Sequence, residues 1–324
     1  MSKAAELAAL IGSQTALSNR NLIINGDYKI WQRATSSTAA NYSGPDRWYY
    51  GNAGTYSRST DVPSGQGFQY SNSVKVTAAT TYGVTAQRIE AVNCKHLVGK
   101  SVTASFWLKT ITGATGMYCI LYRANAEDDF GGGVTVIEQK TFTGVTNTWT
   151  YYTLTWENLP SETTNGLQLY FFSADASTDP EYRITGVQLE VGEQDTPFEH
   201  RSFGDELRRC QRYYWQSGRE QNKTISHIYA VASSTSQIEV IPSPPAGEMR
   251  AAPSLTIDGS FRADRFGKAS AQDMAASYTG TSLTKDGGHF WWAVGSGTPF
   301  TYSHAGRFFP DESGGGGLQF DAEL

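Results

Sequence analysis

Between residues 101 and 109 apolar and polar side chains alternate without a break: Val102, Ala104, Phe106 and Leu108 fall on one face, Thr103, Ser105, Trp107 and Lys109 on the other. A period of two fits an extended strand with one buried side, because a helix would scatter both sets around its axis. Residues 117–123, 148–156 and 166–173 read as further strands. Gly-, Asn- and Thr-rich turns at 112–116, 131–133 and 161–166 separate them. In the run 182–192 the parity changes. Tyr182 and Ile184 share one count, Val187, Leu189 and Val191 the other, and the slip at Thr185-Gly186 predicts a β-bulge. Many short strands with turn signals between them predict antiparallel sheets packed as a sandwich or jelly roll.

The flanks of this region read differently. In residues 1–20, Ser2 can cap a short helix, Leu7, Leu10 and Ile11 share one face, and Gly12 ends it. So short a helix is marginal alone and needs a partner for its apolar face, which predicts an anchoring arm. Ser202 and Asp205 resemble a capping box, and Leu207, Cys210 and Tyr214 recur at helical spacing, so a helix is expected over 202–216. Strands are expected again at 225–232, 237–241, 254–258, 289–294 and 318–324, with Gly314 to Gly317 a flexible loop before the last. The expected organisation is therefore all-β: an N-terminal arm (1–20), a jelly-roll β-sandwich (21–200), a linking helix (201–216) and a smaller C-terminal β domain (217–324). No fixed-period repeat is visible, which disfavours a solenoid.

Composition narrows the function. Only 18% of residues are charged, so Ser, Thr, Asn, Gln and Gly must build the surface, and a net charge of −5 without a basic block argues against nucleic-acid binding. No stretch is apolar and long enough for a membrane span. Cys94, Cys119 and Cys210 are an odd, widely spaced set without a zinc pattern and read as buried free thiols, compatible with assembly in a reducing cytoplasm. No signal peptide is visible. A protein that works outside a cell under those conditions fits a virion part released by lysis.

Three blocks carry a resemblance. They are Asn21-Leu-Ile-Ile-Asn-Gly26 with Trp31-Gln-Arg33 and Asp46-Arg-Trp48; Gly186-Val-Gln-Leu-Glu-Val-Gly192 with Thr196-Pro-Phe-Glu199 and Cys210-Gln-Arg-Tyr-Tyr214; and Glu248-Met-Arg-Ala-Ala-Pro-Ser254 with the ending Phe320-Asp-Ala-Glu-Leu324. Together they resemble a family of phage tail-fibre and other virion structural proteins, whose front half is similar to carbohydrate-binding jelly rolls. The resemblance implies a first strand around Asn25-Gly26 pairing beside a closing strand at 184–191. It also implies a non-enzymatic virion surface protein, assembled as a homotrimer in the host cytoplasm, attached to another virion protein through Leu7, Leu10 and Ile11, and adhering to host-surface glycan. A capsid decoration or head-fibre protein, or a polysaccharide-depolymerising tailspike, are the alternatives it leaves open.

For ligand contact, Trp107 stands out because it lies on the polar side of its strand, where an exposed indole either stacks on a sugar ring or meets another subunit. Tyr49, Tyr50 and Trp292 are similar candidates, although adjacent aromatics must send one ring inward. Related jelly rolls often hold calcium where first and last strands meet, so Asn25, Asp27 and Glu190 are candidate ligands; Asn-Gly-Asp is equally good turn chemistry. Glu127-Asp128-Asp129 reads as a solvated acidic run. No nucleophile elbow and no metal-spaced histidine pair is present, so no catalytic residue and no cofactor is assigned.

Overall fold

The computed structural model describes residues 19–51, 54–76, 83–113, 116–173, 180–217, 228–265, 272–275, 278–295, 300, 305–310 and 316–324. The proposed anchoring residues Leu7, Leu10 and Ile11 lie outside them. The chain is an all-β jelly-roll sandwich followed by a second β unit. The division falls between Glu206 and Leu207, with Leu324 counted with the first unit.

The first unit contains β1 (Ser36–Ser37), β2 (Gly54–Ser59), β3 (Ser71–Val76), β4 (Val84–Ile89), β5 (Val102–Thr112), β6 (Gly116–Ala126), β7 (Asp129–Thr143), β8 (Thr150–Trp156), β9 (Leu167–Ser173) and β10 (Glu181–Val191). They form two antiparallel sheets, β1-β2-β3-β10-β5-β8 and β4-β9-β6-β7. Alternation decides what lies between them: Val102, Ala104, Phe106 and Leu108 are buried against Met117, Cys119 and Leu121 of β6 and Leu167, Leu169 and Phe171 of β9. β10 carries the parity change. Its register against β5 shifts between Thr185 and Gln188, and Gly186 sits at φ +63°, the bulge that the sequence predicts.

The segment 21–28 is not a regular strand, in contrast to the expectation, yet it does run beside β10: Leu22 N–H donates to the Leu189 carbonyl at 2.9 Å and Val187 N–H to the Gly26 carbonyl at 2.9 Å. Asn25, at φ +58°, starts a turn closed by Tyr28 N–H on the Asn25 carbonyl, which ends the extended run. Gly26 is required there, since a Cβ would overlap the Val187 carbonyl oxygen.

Two further expectations are corrected. Residues 131–133 are not a turn; they belong to β7, and the hairpin reverses at Glu127-Asp128, where Asp128 takes φ +56°. Most of β7 is exposed or half-buried, so it lacks the alternation that marks its neighbours. The helix runs over Phe203–Gln211 rather than to residue 216, and Tyr214 instead opens a strand. Its start is as expected, with Ser202 Oγ accepting from Asp205 N–H at 3.1 Å.

The second unit adds β11 (Tyr214–Ser217), β12 (Ile228–Ala232), β13 (Gln237–Pro242), β14 (Ser254–Gly259), β15 (Phe261–Arg265), β16 (Gln272–Asp273), β17 (Gly280–Thr284), β18 (Gly287–Ala293), β19 (Ala305–Pro310) and β20 (Gly316–Asp321). β20 lies between β11 and β14, and β16-β15-β19-β12-β13-β18-β17 form the other sheet. Leu318, Phe320 and Ala322 are buried as their alternation predicts, although the strand ends at Asp321. Gly316 and Gly317 belong to that strand; Gly314 and Gly315 lie outside the described residues.

Candidate functional site

The residues of the three sequence blocks hold the chain together. Asn25 Oδ1 accepts from Ile30 N–H at 3.0 Å, while its Nδ2 donates to the carbonyls of Ile30 (2.9 Å) and Asp46 (3.0 Å). Trp48 Nε1 donates to the Asn25 carbonyl at 2.9 Å and its ring stacks on Tyr28 at 4.8 Å. Glu199 accepts from the backbone N–H groups of Asn19 (2.6 Å) and Asn21 (3.0 Å), and Arg201 donates to the carbonyls of Asn21 (2.6 Å) and Ile23 (3.0 Å). Arg201 also pairs with Glu199 at 3.1 Å and Glu206 at 3.4 Å. This polar latch fastens residues 19–25 to the segment after β10 and satisfies backbone groups that no sheet ladder reaches. In the second unit Arg250 does similar work, donating to the carbonyls of Ala322 (2.9 Å) and Glu323 (3.1 Å).

Each of the three calcium candidates has protein partners. Asn25 is fully engaged as described, and Asp27 pairs with Lys29 at 2.9 Å. Glu190 receives Arg20 (2.9 Å), Gln188 Nε2 (2.7 Å), Thr196 N–H (3.0 Å) and Thr196 Oγ1 (2.6 Å). Among the described residues no group of three or more His, Cys, Asp or Glu side chains is arranged to hold a metal. The acidic run is structural as well as solvated: Asp128 Oδ1 accepts from Ala91 N–H at 2.7 Å, Asp129 Oδ1 from Gly132 N–H at 2.6 Å, and Glu127 pairs with Lys95 at 3.2 Å.

The ligand candidates separate by strand parity. Tyr50 is fully buried and stacks on Tyr56 at 3.6 Å; Trp292 is 1% exposed and donates from Nε1 to the Ala275 carbonyl at 2.7 Å. Both are core residues, which corrects their assignment to a binding surface: each is the inward member of an adjacent aromatic pair. Tyr49, the outward member, is half-buried under the Arg88 guanidinium at 4.3 Å.

Trp107 is different. It faces away from the core, half-buried, on the wall of a cleft of about 490 Å³ that is also lined by Gln66, Phe68, Tyr151, Gly186, Asp195, Thr196, Pro197, Phe198 and His200. Three features of the fold build this cleft. Register sets Tyr151 of β8 directly opposite Trp107 of β5, with ring centres 5.2 Å apart. The β10 bulge puts Gly186 against the Phe68 ring. The latch positions Asp195 to His200, where Phe68, Phe198 and His200 pack together with centroids 5.0–5.3 Å apart. Tyr151 Oη donates to Asp195 Oδ2 at 2.7 Å. Burial pushes the Tyr151 phenol up to about 12, with the Asp195 carboxylate adding to the rise, so the phenol keeps its proton at neutral pH.

Sequence reasoning reached Trp107 and missed the rest. Tyr151 was available from parity, since Tyr152, Leu154 and Trp156 pack inward and leave it outward. Phe198 lay within a sequence block, whereas Phe68 and His200 carry no local signal.

No protein-family model and no curated protein matches the chain. Among solved structures, the enzymatically active domain of tailspike protein 4 from bacteriophage CBA120 is similar over 53% of this chain, with 17% identity and a TM-score of 0.38; this chain spans 21% of that one. A candidate sugar-binding protein from Bacteroides thetaiotaomicron is similar over 53% of this chain and 100% of its own, with 12% identity and a TM-score of 0.38. A family 4 carbohydrate-binding module (CBM4) covers 52% of this chain and 98% of its own, with 17% identity and a TM-score of 0.36. Likeness this loose carries no argument about what the chain does.

Proposed function

We propose that this chain is a non-enzymatic phage virion surface protein, of the tail-fibre or spike kind, that adheres to host-surface glycan through the Trp107 cleft. One observation carries the reading: Trp107 and Tyr151 share an outward-facing cleft with the Phe68–Phe198–His200 cluster and with the polar groups of Gln66, Asp195 and Thr196. A sugar ring has apolar C–H faces and a hydroxyl edge, so aromatic walls with interspersed amide, carboxylate and hydroxyl groups match both. Asp195 is the one carboxylate among the lining residues, whereas glycoside hydrolysis generally uses two, about 5–10 Å apart. That supports holding rather than cutting.

The virion setting rests on the three sequence blocks. In this reading the chain assembles as a homotrimer in the host cytoplasm, and residues 1–20, through Leu7, Leu10 and Ile11, attach it to another virion protein. The buried cysteines Cys94, Cys119 and Cys210, which form no disulfides, suit a reducing place of assembly.

The test is competition. Soluble protein should block adsorption of the phage that carries it, and Trp107→Ala should not. Equal blocking by both proteins would refute a role for the cleft. Cryo-electron microscopy of whole particles would locate the protein on tail or capsid.

A further inference from the structure

The Trp107 cleft holds a negative charge that its own walls leave uncompensated. Asp195 accepts one hydrogen bond from Tyr151, and among the described residues no ion pair reaches its carboxylate. Apart from His200, which lines the cleft itself, the basic side chains close to this face are committed elsewhere. Arg20 donates to the Pro197 carbonyl and pairs with Glu190, Arg201 pairs with Glu199 and Glu206, and Lys109 and Arg183 both engage Asp61. Five rings line the cleft together with Asp195: Trp107, Tyr151, Phe68, Phe198 and His200. The face of an aromatic ring is electronegative, so indole, phenol and phenyl faces attract a cation more strongly as it leaves water. A carboxylate beside those rings adds a full charge of the same sign. A neutral sugar would stack on the rings and donate hydroxyls to the carboxylate without offsetting its charge, and an anionic one would be repelled.

We infer that the cleft selects a ligand bearing an ammonium group next to an apolar face, as the unacetylated amine of an amino sugar does. The inference rests on the reading of the cleft as the glycan site and narrows its ligand class. The ammonium would lie between the Asp195 carboxylate and the aromatic faces, with the sugar ring against Trp107. The cleft volume of about 490 Å³ is within the range of small-ligand sites and has room for a substituted pyranose ring.

The test is titration calorimetry on the full chain with two matched pairs of probes. Chitosan trimer carries free amines on the backbone that N,N′,N″-triacetylchitotriose carries N-acetylated. Choline carries a quaternary ammonium where 3,3-dimethylbutanol carries a neutral tert-butyl group. Chitosan trimer should bind at least tenfold more tightly than the triacetylated trimer. Asp195→Asn, with a thermal melt matching the parent, should bring that ratio close to one, and Trp107→Ala should weaken the chitosan trimer at least tenfold. Equal affinities for the two trimers in the parent protein would overturn the ammonium inference and leave the glycan reading standing. Choline binding over its neutral isostere, with neither trimer bound, would uphold ammonium recognition, place its source outside sugars and overturn the glycan reading. Binding of no probe would overturn both.

Discussion

Gly186 lies so close to Phe68 that a Cβ on it would come within 2.5 Å of the ring's Cζ, and its φ of +63° is one that side chains other than glycine rarely adopt. The bulge, the ring above it and the cleft are therefore one construction. Gly186→Ala should destabilise the fold by about 1–3 kcal/mol from overpacking and backbone strain. It should also weaken glycan binding by displacing Phe68. Urea unfolding and binding measured on the same variant check both effects.

Acid should loosen the first unit in a defined window. Burial tends to raise the Asp61 carboxyl, but hydrogen bonds from Lys109 and Trp149 and the charges of Lys109 and Arg183 outweigh it and hold the group below its ordinary value. For Glu199 burial again works upward, and the Asn21 and Asn19 amides together with Arg201 win. A carboxyl lowered by folding stabilises the protein above its unfolded pKa, about 4, and that contribution is lost as pH falls through the folded value. Asp61→Asn and Glu199→Gln should each flatten the fall in stability below about pH 4. Thermal melts from pH 7 to 3 would show it; an unchanged acid limb in Glu199→Gln would count against the latch, and one in Asp61→Asn against its pairing with Lys109 and Arg183.

At the alkaline end the sign reverses. Burial raises the phenols of Tyr28, Tyr50 and Tyr182 well above their ordinary value and that of Tyr56 to about 12. A folded pKa above the unfolded one gives stability that is complete below about pH 10 and shrinks as pH rises past it. Absorbance at 295 nm should therefore show part of the tyrosine titration appearing only together with loss of β-sheet circular dichroism.

The thiols should be silent in the native state. Burial pushes Cys94 up to about 12 and Cys119 well above its ordinary value, and Cys210 is buried as well. A disulfide exchange reagent should label all three only at the rate of unfolding; fast labelling of the folded protein would contradict the packing described.

Legibility followed burial. Where one face packs into the core, as in β5 and β20, alternation alone located the strand and named its inward side chains, although Thr103 and Ser105 on the other face of β5 are buried as well. The bulge in β10 was readable because a glycine sits where the parity slips. β7 was not, since most of its length is exposed or half-buried and no alternation is imposed on it. Tyr50 and Trp292 were misplaced because parity distinguishes the two rings of an adjacent pair only when the strand's inward face is already known. The cleft needed Phe68 and His200, brought to Trp107 by loops rather than by any periodic element, so strand parity could reach only Trp107 and Tyr151.

The central claim is that this sandwich holds glycan at Trp107 and leaves its bonds intact. One assay tests both halves: purified protein is incubated with host-surface polysaccharide, then bound protein and newly formed reducing ends are measured in the same sample for the parent chain and for Trp107→Ala. The account predicts saturable binding that falls at least tenfold in the variant, with no reducing ends above the protein-free control. Released reducing ends, or binding indifferent to Trp107, would contradict it.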